Sequence, residues 1–75
     1  SIEELILEEE RAELLQRAIH TLPEIQRRRF LLYYEYEYNY YEIAAMEHCT
    51  ASSVGQSITR AKEKVKAQMK KYLCT

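Results

Sequence analysis

The most pointed chemistry in this sequence lies between Ser52 and Arg60. Ser52, Ser53, Gln56, Ser57 and Arg60 recur at helical intervals within NYYEIAAMEHCTASSVGQSITRA, residues 39–61, so a helix through them presents hydroxyls, an amide and a guanidinium together. Short polar groups followed by an arginine suit a helix whose exposed face enters a DNA major groove, and the Gln56 amide is matched to adenine. Catalysis has no comparable support. The chain contains no Asp, His20 and His48 stand far apart, and no nucleophile neighbours a base, so no catalytic residue is assigned. Cys49 and Cys74 lack ligand-spaced histidines and are read as free thiols, with no metal and no cofactor implied.

Capping signals define the elements that must position these residues. Asn39 and Glu42 have the spacing of a capping box, and Tyr38 and Ile43 that of a hydrophobic staple. Thr50 caps a second helix, with Cys49 and Val54 placed for another staple. Only Glu47 to Cys49 is left for the turn between them. Ile43, Ala44 and Met46 form a small apolar face on the first of these helices, and Val54, Ile58, Ala61 and Val65 recur at spacings of four, three and four on the second. The pattern predicts a helix-turn-helix.

The remainder fits one small domain over residues 1–75, all-α, with four helices at about 2–19, 22–37, 40–47 and 51–72, and no wing. A single Gly and a single Pro leave few turn residues for hairpins. In the first helix Leu5, Ala12, Leu15 and Ile19 share a side with Leu7, Leu14 and Ala18, and His20 ends it. Thr21-Leu22-Pro23-Glu24 reads as a further capping box, with Pro23 in the first turn. Leu22, Gln26, Phe30 and Tyr34 then line one face, extended by Ile25 and Leu32. Arg28 reads as solvated surface, while Arg27 and Arg29 fit either surface or phosphate contact. The longest apolar run, Phe30 to Tyr34, is too short to span a bilayer and the N-terminus is acidic, so a soluble, cytoplasmic chain without a membrane or small-molecule partner is expected.

Charge is divided along the chain. Residues 1–49 carry five arginines against eleven glutamates, a net of −6, and residues 50–75 carry six cations against Glu63 alone, a net of +5. The basic end offers a phosphate footprint in which Lys64 joins Arg60. The alternative is internal compensation, with Glu3, Glu4, Glu8, Glu9, Glu10 and Glu13 facing Lys62, Lys64, Lys66, Lys70 and Lys71. Six tyrosines fall within residues 33–41, more than a small core can satisfy. Tyr34, Tyr38 and Tyr41 are read as core or staple residues, and Tyr33, Tyr36 and Tyr40 as contacts to sugar-phosphate or a protein partner.

With these motifs placed, residues 18–73 resemble region four of bacterial RNA polymerase sigma factors of the extracytoplasmic-function type. Leu22, Pro23, Glu24, Phe30, Leu31 and Leu32 match the opening of that pattern, Tyr40, Glu42, Ile43 and Ala44 its next helix, and Val54, Arg60 and Ala61 its last. The resemblance implies promoter duplex DNA of the minus-35 type as ligand, RNA polymerase core through its β flap as partner, and an anti-sigma factor as a further one. By the same likeness Ser52, Ser53, Gln56, Ser57 and Arg60 face DNA, with Thr50, Tyr40 and Lys64 beside them. Gly55-Gln56-Ser57 stands where the family has Lys-Ser-Arg, and His48 and Glu37 stand where it prefers Gly. Nothing resembles the sigma region that melts promoter DNA, which implies either a fragment or a stand-alone regulator. The rival function is a protein-interaction domain that uses Tyr33 and Tyr36 on polymerase, an anti-sigma factor or another copy of itself.

Overall fold

The computed structural model describes residues 2–73, with side chains from position 8 onward. Cys74 and the side chains of Glu3, Glu4, Leu5 and Leu7 lie outside the described residues. Four helices follow one another: α1 (Ile2–His20), α2 (Glu24–Tyr34), α3 (Tyr40–Glu47) and α4 (Ala51–Leu73). Among the described residues there is no strand.

α4 is the axis of the molecule. Its apolar stripe, Val54, Ile58, Ala61 and Val65, is buried along its whole length, and each of the other helices packs on it. Two clusters divide that stripe. Val54 and Ile58 close with Ile43 and Ala44 of α3 over the helix-turn-helix, where Leu32, Tyr33, Tyr40 and Cys49 add partly buried cover. Ala61 and Val65 close with Ala18 and Ile19 of α1, Leu22 of the α1–α2 connection and Phe30 of α2, backed by Leu31, Met69 and Tyr72. The apolar spacing on α4 therefore has a physical cause in the stacking of two small cores on one helix.

The end of α1 packs, and the stretch before it does not. Ala18 and Ile19 are buried and Leu14 is half-buried, whereas residues 8–13 and Leu15 are exposed. Among the described residues no ion pair joins Glu8, Glu9, Glu10 or Glu13 to the lysines of α4. No helix is long and apolar enough to cross a membrane.

The connections depart from expectation in two places. The Thr21 hydroxyl donates to Ala18 O at 2.7 Å and so finishes α1 instead of capping α2. Pro23 itself takes the N-cap position of α2 (φ −55°, ψ 148°), without a side-chain cap. α2 also stops at Tyr34, three residues before the expected Glu37. Its last carbonyls are taken by the loop, Leu31 O by the amides of Glu35 and Tyr36 and Leu32 O by that of Tyr38, while Glu37 turns left-handed at φ 60°.

That early stop redistributes the tyrosines. Tyr34, Tyr38 and Tyr41, expected in the core or staples, are exposed, Tyr41 to 78%. Tyr33 and Tyr40, expected at the surface, are the half-buried pair, with ring centroids 5.0 Å apart. Ile25 is likewise exposed, and Gln26 keeps a buried Oε1 without a hydrogen-bond partner.

His48 ends α3 at φ 55°, ψ 45°, with its own amide and that of Cys49 both reaching Ala44 O. This is the six-to-one closure that glycine makes without a Cβ penalty, and a left-handed L-residue costs about 1–2 kcal/mol. Replacing His48 with Gly should raise stability by about 1 kcal/mol, or roughly 4–8 °C in Tm for a domain of this size. A thermal melt that falls instead would show that the imidazole makes a compensating contact.

Candidate nucleic-acid interface

Side-chain caps start both helices of the helix-turn-helix. Asn39 Oδ1 accepts from the Glu42 amide at 2.8 Å while Glu42 Oε1 accepts from the Asn39 amide at 3.0 Å, which completes the box expected at the start of α3. Thr50 Oγ1 accepts from the Ser53 amide at 3.1 Å and caps α4. Thr50 thus serves first as a cap, with its side chain at the exposed rim.

An ion network sets how α4 sits against α2. Glu47, at the end of α3, accepts from Arg28 Nε and Arg29 Nε, both at 2.6 Å. The Arg29 and Glu47 side chains are only 11% and 10% exposed, against 49% for Arg28. Arg29 also donates to Ser57 Oγ at 2.8 Å and approaches the Ser53 oxygens and Cys49 Sγ at 3.5 Å. Arg28 is therefore not merely solvated, and Arg29 is spent inside the fold. Arg27 reaches back to His20 O at 3.4 Å, a long contact at the end of α1. The carboxyl of Glu47 is held below the usual carboxylate range, chiefly by the Arg28 hydrogen bond, with burial opposing and Arg29 assisting. Reciprocally, the Glu47 hydrogen bond raises the Arg28 guanidinium further.

This network sorts the expected site residues. Ser53 and Ser57 are half-buried on the flank of α4 that faces Arg29. Ser52 and Gln56 lie exposed on the neighbouring flank, Arg60 is exposed between the two, and none of the three makes a hydrogen bond or ion pair among the described residues. A groove of about 650 Å³ runs along that flank between α3 and α4, lined by Tyr40, Tyr41, Ser52, Gln56, Arg60 and Glu63, among others. Tyr41 is read from sequence as a core or staple residue and Thr59 and Glu63 have no site role there, although Thr59 and Glu63 stand three and seven residues after Gln56 and so share its side of the helix. Lys64 is exposed outside the groove lining, and Tyr36 is exposed to 65% on the loop before α3.

Tyr40 forms the α3 wall of the groove. A Cβ added at Gly55 would come within 3.2 Å of its Cε2, so the bare backbone is the seat of this ring. Burial pushes the Tyr40 phenol up from its usual value, with Tyr33 and Tyr34 adding to the effect.

Residues 12–65 match the family model of sigma-70, region 4. The chain belongs to the sigma-70 region 4 family. The matched model is typical of extracytoplasmic-function sigma factors. No curated protein and no solved structure matches the chain. Sigma-70 region 4 domains are, as a class, non-catalytic helix-turn-helix modules of sigma factors that bind DNA and RNA polymerase. In this sigma region 4 chain both positions where the sequence resemblance leads one to expect Gly, 37 and 48, are left-handed although they carry Glu and His. Gly55 makes room for the chain's own Tyr40.

Because the folded pKa of Glu47 is depressed, its stabilisation is present above the ordinary carboxylate range and is lost as pH falls through the lower folded value. Glu47→Gln should cost about 2 kcal/mol at pH 7, and the gap between wild type and variant should shrink on acidification below about pH 5. Urea melts at several pH values read this directly, and a gap independent of pH would remove the ion network as its cause. For Gly55→Ala, the helix-propensity gain of about 0.8–1 kcal/mol is opposed by displacement of the Tyr40 ring. The variant should melt within about 0.5 kcal/mol of wild type, and a full gain of 1 kcal/mol would mean that Tyr40 yields freely.

Proposed function

We propose that this chain reads promoter DNA of the minus-35 type by laying α4 in the major groove. Ser52, Gln56 and Arg60 meet the duplex, and Tyr40, Thr50 and Lys64 flank it on the sugar-phosphate. The observation that carries this reading is the division of α4 by Arg29. Ser53 and Ser57 are engaged by Arg29, while Ser52, Gln56 and Arg60 stand exposed and unbonded along the groove. Exposed polar groups that the fold does not use are available to base edges, and the exposed lysines of α4 add a cation supply for phosphate. Ser53 and Ser57, included with the DNA-facing set on sequence grounds, act in this reading by orienting the helix through Arg29.

A second reading, contact with a protein such as the polymerase β flap or an anti-sigma factor, is favoured by one feature. Tyr36 and Tyr41 are exposed aromatics that neither core uses, and such residues mark interfaces. Tyr33 contributes less to it, being packed against Tyr40.

The two readings separate by titration. Gln56→Ala should lose about 1–3 kcal/mol on a duplex selected from a random pool and little on random DNA. Arg60→Ala should weaken all duplexes and lower the salt slope by about one unit. Tyr36→Ser should leave both titrations unchanged and weaken capture by polymerase core. Equal losses for Gln56→Ala on selected and random DNA would exclude base reading by that residue.

A further inference from the structure

Glu63 is the only acidic residue between Thr50 and Thr75, and it lines the same groove as Gln56 and Arg60. It is exposed and, among the described residues, makes no hydrogen bond or ion pair, so neither folding nor a surface partner accounts for its position. It lies seven residues, or two helical turns, beyond Gln56, at nearly the same angle around α4 and about 10 Å further along the axis. A carboxylate placed there meets a duplex whose phosphates repel it. Repulsion is offset only where the carboxylate accepts a hydrogen bond from a base, and an ionised carboxylate is an acceptor only. The major groove presents two donors, the exocyclic amines of cytosine and adenine, and cytosine is the one carboxylates pair with. Guanine O6, guanine N7 and thymine O4 place acceptors against it and are rejected.

Building on the DNA reading above, we propose that Glu63 is a specificity-determining residue that selects cytosine at one position of the site, two helical turns along α4 from the base read by Gln56. The groove lining carries the inference: a lone, unpaired acceptor stands in line with the donors and acceptors of the reading face. Its cost in general affinity is offset by discrimination against every base that offers an acceptor there.

The test is selection of duplexes from a random pool by the 75-residue chain, by Glu63→Gln and by Glu63→Ala, with titration of the recovered sites. Wild type should favour cytosine at the position by about tenfold over guanine or thymine. Glu63→Gln should move the preference to adenine, which an amide pairs with bidentately. Glu63→Ala should lose preference there while binding random DNA more tightly, and all three chains should melt alike because the side chain is exposed and unbonded. If wild type selects a site and all three chains recover the same base at every position, Glu63 lies outside the footprint and the assignment is overturned while DNA reading stands. Failure of wild type to bind any duplex overturns both.

Discussion

Everything in this fold depends on burying one stripe of α4. Val54, Ile58, Ala61 and Val65 supply the contact line on which three other helices settle. A single stripe also fixes what remains outside. Once Val54 and Ile58 point inward, Ser52, Gln56 and Glu63 must point outward, since residues half a turn apart cannot share a side. The exposed face is thus a geometric by-product of core formation, and the polar residues on it are free to be chosen for what they contact.

The stripe alone does not set the rotation of α4 about its own axis, because small apolar side chains such as Val and Ala allow some slip. Arg29 supplies the missing constraint. Its guanidinium joins the end of α3 to the flank of α4 through Glu47 and Ser57, and its planar fork tolerates little angular error. Tyr40 does the same from the other side by resting on Gly55. The reading helix is pinned between a charged contact and an aromatic one.

Much of this was legible in the residues. The Asn39–Glu42 box, the Thr50 cap and the four-three-four spacing on α4 are local signals, and local signals survive into the fold because they depend on nearest neighbours in the chain. The family likeness shares Glu42, Val54 and Ala61 with those signals. What could not be read was where long-range partners meet. Arg29 and Glu47 are 18 residues apart, and only the fold brings them together, although Glu47 four residues after the buried Ile43 was a hint of an inward-facing charge. The tyrosines were misassigned for a related reason. A left-handed Glu37 shortened α2 and shifted which rings reached the core. Gly55 had two explanations from sequence, a close approach to an external partner and a lost cation, and the structure adds a nearer one in the chain's own Tyr40.

The length of α4 also makes it a lever. Its distal half is clamped by Ala18, Ile19, Leu22 and Phe30 around Val65, while its working residues begin at Ser52 on the half that rests on α3. With roughly 20 Å between those points, a tilt of about 5° at the clamp moves the tip by nearly 2 Å, more than the tolerance of a hydrogen bond. Packing errors in the α1–α2 cluster are therefore amplified at the groove, so residues that never approach a ligand carry part of the precision with which it is met.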